Sequence, residues 1–244
     1  MTDRRSLSAL RLLKIAPFLR PLADTLFKRS SPSLEKDLMG LHFSSPIGVA
    51  AGVDKRGEYT DIIDCFSPSF IEIGPLRDVL YSIKHLQERE RDIRVLGNLS
   101  NTKEIERSFS LIYDFVDAIV LNISLNTSVS KIIDHLLELR RYNDTYKPII
   151  FKLFPNLTPD VLDELADYML CSGIDAVMVQ AEFVPLIREK TQGLMPVIAI
   201  AEISTPERAA QLLDTGADLI AVSNSPFHYG PALIKKLIKY LDKR

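Results

Sequence analysis

The chain is poor in several things, and each shortage removes a class of explanation. Two cysteines, Cys65 and Cys171, cannot build a disulfide framework in 244 residues, so a reducing, cytoplasmic setting is expected. There is no run of 18 apolar residues and no signal peptide with a small-residue cleavage site, so no membrane span is expected. Neither sign of charge dominates. With 30 basic and 32 acidic residues the net charge is -2, which argues against a nucleic-acid binder relying on a cationic surface. His42, His85, His135 and His228 lack metal-ligand spacing with cysteine or carboxylate, so no metal site is expected. Glycine is scarce, at 10 residues against an average near 7%.

What is present is an alternation of short apolar runs, rich in valine and isoleucine, with longer stretches of helical period. Eight runs stand out, at 46–52, 70–74, 93–99, 118–124, 148–154, 176–181, 196–202 and 219–224. Apolar strands alternating with amphipathic helices are the mark of parallel β/α units. Helices are expected over 102–116, 128–142, 158–170, 205–216 and 230–243. Thr158-Pro159-Asp160 and Thr205-Pro206-Glu207 each read as an N-cap, a proline at the first helical position and a carboxylate matched to the helix dipole. Gly173 and Gly216 fall where C-terminal caps belong. Eight such units close a parallel (β/α)8 TIM barrel, expected over residues 41–244 as one domain.

Residues 1–40 stand outside the repeat and form a short N-terminal helical extension, with helices expected over 7–19 and 20–29. Residues 1–30 carry seven Lys or Arg against Asp3 and Asp24, which makes this segment +5 and the remainder -7. A basic amphipathic pair either lies on an anionic membrane surface, through residues 5–29, or caps the N-terminal mouth of the barrel. The first choice implies a cytoplasmic protein peripheral to the inner face of the cell membrane.

In such barrels function gathers at the C-terminal strand ends. There the sequence offers Gly52, Asp54 and Lys55; Asn98; Asn122 and Ser124; Lys152; Gln180 and Glu182; Glu202; and Ser223 with Asn224. Lys152 interrupts the apolar run FKLF. A lysine there needs an anion or a polar ring, and Asp54, Glu182 and Glu202 are candidates to balance it and Lys55.

The segment SSPIGVAAGVDKRG resembles the first strand of dihydroorotate dehydrogenases, whose pattern is roughly N-P-x-G-x-A-A-G-x-D-K-x-G. The likeness continues through SFIEIG, DAIVLNISLNTS, PIIFKLFPNLT, SGIDAVMV, MPVIAI, TGADLIAV and HYGPALIKKL, and the helical extension is similar to that of the quinone-linked, membrane-associated class. The resemblance implies an FMN-dependent oxidoreductase of pyrimidine biosynthesis. By it Ser124 is the catalytic base, and Lys55, Asn122 and Asn126 hold an orotate-like ligand. Ala51, Gly52, Lys55, Asn98, Asn122 and Lys152 hold FMN. A base removes a proton while hydride leaves for the flavin, and cations steady the charge that accumulates.

Departures cluster at ligand positions. The family's arm and G-F-N-N element after the second strand are missing, because LRDVLYSIKHLQERERD leads straight to the next strand. The base loop N-I-S-S-P-N-T has become Asn122-Ile123-Ser124-Leu125-Asn126-Thr127, and T-N-T-T has become Gln180-Ala181-Glu182-Phe183. The phosphate cradle G-V-G-G-I reads Ile200-Ala201-Glu202-Ile203 at its end, and Y-S-G reads Ser223-Asn224-Ser225. Glycine permits the close backbone approach that a phosphate needs. The sequence therefore points to a dihydroorotate dehydrogenase-like pseudoenzyme that binds a small molecule or a protein partner. The alternatives are an active enzyme with a rearranged phosphate site, and a barrel of other chemistry in which Glu182 and Glu202 flank Lys152.

Overall fold

The computed structural model describes residues 6–244 apart from 30, 88–90, 101–102, 123–126, 154–158 and 224–231. Each of the eight apolar runs carries one strand of a closed parallel barrel, in the ring order β3 (Ile47–Val49), β4 (Phe70–Ile73), β5 (Arg94–Leu99), β6 (Ala118–Leu121), β7 (Ile149–Lys152), β8 (Ala176–Gln180), β9 (Val197–Ala201) and β10 (Leu219–Val222). β10 closes the ring on β3, with Ile220 opposite Ile47 and Val222 opposite Val49. Most strand residues are buried on both faces, which is why these runs read as continuous apolar sequence rather than as alternation.

A helix follows every strand: α3 (Thr60–Asp64), α4 (Val79–Leu86), α5 (Ile105–Ile112), α6 (Thr127–Arg140), α7 (Pro159–Ser172), α8 (Val184–Lys190), α9 (Pro206–Asp214) and α10 (Leu233–Leu241). The expected signals operate locally. Thr205 Oγ1 accepts from Arg208 N at 3.4 Å with Pro206 in the first turn of α9. Gly173 and Gly216 take φ of 90° and 105°, the left-handed geometry of a C-terminal cap. α10 buries Ile234, Leu237, Ile238 and Leu241 on one face, at the spacing a docked amphipathic helix requires. The cap Thr158 lies outside the described residues.

Two strands precede the barrel that the sequence reading did not anticipate. β1 (Lys36–Leu38) and β2 (Leu41–Phe43) pair antiparallel, and Met39 and Gly40 between them both have positive φ, the geometry of a tight primed turn. This hairpin, rather than the helical extension, enters the N-terminal mouth. Phe43 meets Phe70 edge to face at 5.9 Å between ring centroids, while Leu38, Met39 and Leu41 pack on the same inner cluster. The fit is close: a Cβ on Gly48 would stand 2.3 Å from the Phe70 ring.

The helical extension forms α1 (Ser6–Ile15) and α2 (Arg20–Phe27), joined by a 3-10 turn at Pro17–Leu19. Leu10, Leu13 and Ala23 are buried against the barrel, and Phe27 stacks near Phe66 at 5.2 Å. The cationic excess has a structural use. Lys14 pairs with Glu58 (3.5 Å), Arg20 with Asp61 (2.6 Å), Lys28 with Asp92 (2.7 Å) and Arg29 with Asp242 (2.7 Å), so a basic arm is docked on an acidic barrel. On the outer side Leu12, Ile15, Phe18, Leu22 and Leu26 remain exposed, Ile15 and Phe18 by about four-fifths of their surface. Among the described residues no helix is long and apolar enough to cross a membrane.

Candidate functional site

The inner cluster of the barrel contains Ala50, Phe70, Leu96, Val120, Ile150, Met178, Ile200 and Ala221, one from each strand or its end. Side chains alternate along a strand, so the residue two positions later faces the same way. In ring order these are Gly52, Glu72, Asn98, Asn122, Lys152, Gln180, Glu202 and Ser223. An apolar interior thus ends in a polar ring at the C-terminal mouth. Glu72 and Asn98 are fully buried, Asn122, Lys152, Gln180 and Ser223 half-buried, and Glu202 exposed.

The centre of the ring is Glu72, which the sequence reading passed over as part of an apolar strand. Lys152 Nζ donates to Glu72 Oε1 and Oε2 at 2.7 and 2.8 Å. Asn98 Nδ2 donates to Oε1, and the backbone N–H of Ala51 donates to Oε2 at 2.9 Å. A carboxylate offers about four acceptor positions, and all are used here. A buried charge is tolerable only when it is paired and hydrogen-bonded in this way. The missed signal was available: FIEIG and FKLF each hold one charged residue inside an apolar strand, and the two are of opposite sign.

Of the residues singled out from sequence, Ala51, Asn98 and Lys152 meet at Glu72. Gly52 occupies the turn after β3 at φ 104°, and Lys55 lies exposed on the following loop. That loop is fixed from beneath by buried Asp54, whose oxygens accept from Arg56 N, Glu58 N, Tyr59 N and Thr60 Oγ1 at 2.8–3.2 Å. Burial pushes the Asp54 carboxyl above its ordinary range despite these bonds. Asp54 therefore organises its own loop, and the ionic partner of Lys152 is Glu72. Asn122 follows β6, its backbone N–H bonded to Leu99 O at 2.9 Å. Ser124, Asn126, Asn224 and His228 lie outside the described residues. Glu182 is exposed on the 3-10 turn Ala181–Phe183 after β8.

FMN, the cofactor implied by the resemblance, would meet two different sides of this mouth. On the ring side, Asn98 Oδ1 is buried without a hydrogen-bond partner, because the Glu72 carboxylate commits the amide NH2 and so fixes the orientation of the group. Lys152 also has a third N–H beyond the two given to Glu72. On the phosphate side, barrels ordinarily use the loops after the seventh and eighth strands, here β9 and β10. β9 ends in buried Ala201 followed by exposed Glu202, and the N–H of Ser223 is committed to Ala201 O at 2.8 Å. That corner thus sets an exposed acid on the inward parity of β9 beside a Ser223 N–H that is already used, a setting unfavourable to a phosphate.

Comparison with known proteins agrees with the architecture. No protein-family model matches the chain. It is 24% identical to the dihydroorotate dehydrogenase (quinone) of Vibrio vulnificus, an alignment covering 89% of this chain and 90% of that protein. It is 25% identical to the protein of the same description from Proteus mirabilis, over 88% and 89% of the two chains. The Vibrio alignment runs for 302 positions, whereas 89% of 244 residues is about 217, so about 85 aligned positions have no residue here. The crystal structure of DHODH from Eimeria tenella in complex with ferulenol superposes with a TM-score of 0.78 at 17% identity, covering 96% of this chain and 94% of that one. The ligand-free form from the same organism gives 0.79. Resemblance to the quinone-linked dihydroorotate dehydrogenases thus extends along nearly the whole chain.

Proposed function

We propose that this chain, a divergent relative of the quinone-linked dihydroorotate dehydrogenases, is a barrel of the pyrimidine-synthesis lineage that binds a ligand at its mouth and oxidises dihydroorotate little or not at all. The observation that carries this reading is the corner formed by β9 and β10, where Ala201 and Glu202 stand at the ordinary phosphate position of the fold. An acid about 4 Å from a phosphate raises its free energy by about 1 kcal/mol per unit charge in water and about 4 kcal/mol at an effective dielectric of 20. The shortened loop that carries Ser124 points the same way, since a base displaced by about 1 Å loses on the order of a hundredfold in rate. Purified protein supplied with excess FMN should reduce neither quinone nor dye when dihydroorotate is added. Stoichiometric bound FMN together with orotate formation would sink the proposal.

One observation favours the second reading, an active flavoenzyme with a rearranged phosphate site. Asn98 and Lys152 remain together on Glu72 at the mouth, with an acceptor and an N–H still to give. Growth of a strain lacking its own dihydroorotate dehydrogenase on this gene separates the two.

For the helical extension we propose peripheral contact with an anionic membrane on the cytoplasmic side. Its outer face carries exposed Leu12, Ile15, Phe18, Leu22 and Leu26, with exposed Arg11 adjacent in sequence, the composition of an interfacial amphipathic element.

A further inference from the structure

We propose that the N-terminal end of the barrel, opposite the polar mouth, carries a separate ligand site for a small hydroxylated phosphate ester, the chemistry of a sugar phosphate. The proposal does not rest on the reading of the mouth and holds whether or not the barrel turns over a substrate.

The site is a cavity of about 340 Å3, enclosed by the residues that follow α2, the hairpin and its step into β3, the turn between α3 and β4, and the lead into β5. Its walls carry four cations, Lys28, Arg29, Arg91 and Arg94, against two acids, Asp64 and Asp92, a formal surplus of two positive charges. Lys28 is committed to Asp92 at 2.7 Å, and Asp242, outside the cavity, takes one Nη of Arg29 at 2.7 Å. Docking of the helical extension accounts for those two. It does not account for the arginines of the β5 lead. Arg94 gives its Nε–H to His42 O at 3.0 Å, and Asp117 stands 3.7 Å from its Nη1, too far for a hydrogen bond. Arg91 is half-buried and pairs with no carboxylate among the described residues. Two of its five N–H groups go to Leu86 O (3.3 Å) and Phe115 O (3.0 Å), which leaves three. The Nε–H of Arg29 is buried without a partner, and Ser67 Oγ, which accepts from Arg29 N at 2.7 Å, keeps its own proton to give.

Three arginines thus bring unused guanidinium N–H groups to one cavity, in the planar form that matches phosphate oxygens. A half-buried guanidinium bonded only to neutral carbonyls gains most from an anion. The volume lies in the range of small-molecule pockets and is larger than a bare phosphate requires. The rest of the wall holds Asp64 and Asp92, which repel an anion but accept from hydroxyls. An occupant with its phosphate toward the arginines and its hydroxyls toward the acids satisfies both sides; a polycarboxylate or polyphosphate does not. Such an occupant ties Arg29 of the helical extension to Arg91 and Arg94 of the barrel.

The test is calorimetric titration of the full chain with ribose 5-phosphate, ribose and inorganic phosphate at one ionic strength, on wild type, Arg91→Gln, Arg94→Gln and Ser44→Glu. Ser44 is an exposed residue of the cavity wall, so Ser44→Glu adds an acid without disturbing the core and keeps the test open if Arg91→Gln fails to fold. We expect ribose 5-phosphate to bind with a Kd below about 1 mM, about tenfold or more tighter than inorganic phosphate, and ribose to give no binding heat. Each substitution should weaken the ester by about tenfold or more, the equivalent of about 1.4 kcal/mol and in the range of one hydrogen bond to a charged group. Bound ester should also slow hydrogen exchange over residues 20–29 and 91–95. Failure of ribose 5-phosphate to bind at millimolar concentration overturns the proposal. So does binding that none of the substitutions weakens, inorganic phosphate bound as tightly as the ester, or protection confined to the C-terminal mouth.

Discussion

Removing the cation from the buried carboxylate at the mouth gives a large and specific loss of stability. In Lys152→Met, Glu72 keeps the hydrogen bonds from Asn98 and Ala51 but loses both contacts from Nζ while remaining fully buried. Breaking a buried ion pair by deleting one partner costs about 3–5 kcal/mol, because the uncompensated charge is left behind. For a domain of this size each kcal/mol moves the melting temperature by about 2–4 °C, so the variant should melt about 6–20 °C lower. Glu72→Gln should cost less, since Lys152 is half-buried and its ammonium can turn toward water, whereas Glu72 has no such outlet. The double variant Glu72→Gln with Lys152→Met removes both charges and should recover most of the Lys152→Met loss, a coupling of at least about 1 kcal/mol. Urea unfolding followed by far-UV circular dichroism on the wild type and these three variants completes the cycle. A Lys152→Met variant within about 1 kcal/mol of wild type, or losses that simply add, would refute the reasoning.

Three further outcomes follow from other parts of the structure. Burial first, then Asp24, pushes the Cys65 thiol up to about 12, while Cys171 is exposed; one thiol per chain should therefore react with a disulfide reagent in the native protein at neutral pH, and the second only after denaturation. Asp242 is held below the ordinary carboxylate range by the hydroxyls of Ser31 and Ser33, with Arg29 assisting against slight desolvation. A depressed folded value contributes stability above the unfolded pKa, near 4, that is lost as pH falls through the folded value. The tie between residues 29–33 and the end of α10 should accordingly persist at pH 4 and open below it, and hydrogen exchange over 20–33 should show Asp242→Asn opening it at pH 7. Finally, cosedimentation with anionic vesicles should fall with salt and be abolished by Ile15→Ser with Phe18→Ser, whereas neutral vesicles should bind little; equal binding to both vesicle types counts against the proposed membrane contact.

The barrel was legible because its strands are buried on both faces and its helices carry their own boundary marks. Thr205, Pro206, Gly173 and Gly216 act within a few residues of themselves, so no tertiary knowledge was needed to read them. The hairpin Lys36–Phe43 was not legible: three-residue strands leave too few alternations, and its turn, Met39-Gly40, lacks the asparagine or aspartate that usually announces one. Glu72 was missed for another reason. A single glutamate in FIEIG is ambiguous by itself, and only the parity Phe70–Glu72 beside Ile150–Lys152 shows that the two charges face one interior. The balance of Lys152 is thus a property of register between β4 and β7, which are not neighbours in the ring.

The two ends of the barrel differ in how much a substitution disturbs folding, and that difference accounts for how a chain so far from its relatives keeps their architecture. At the N-terminal end Gly48, Phe70 and Phe43 are in close contact, and adding one carbon there means overpacking worth about 1–3 kcal/mol. At the mouth Glu202 is exposed and Ser223 half-buried, and surface changes ordinarily stay within about 0.5 kcal/mol. Ligand positions on β9 and β10 can therefore change while the interior remains as it was. The same asymmetry bears on reversal. Ala201→Gly with Glu202→Gly puts back the glycines of the phosphate cradle, and its cost should be the backbone entropy of two glycines plus one buried methyl, no more than about 3 kcal/mol in all. The melting temperature should then fall by about 12 °C at most, with FMN affinity rising. A much larger loss would mean that the core cannot close over the space left by the buried Ala201 methyl, and that the phosphate corner cannot be recovered without rebuilding the strand beneath it.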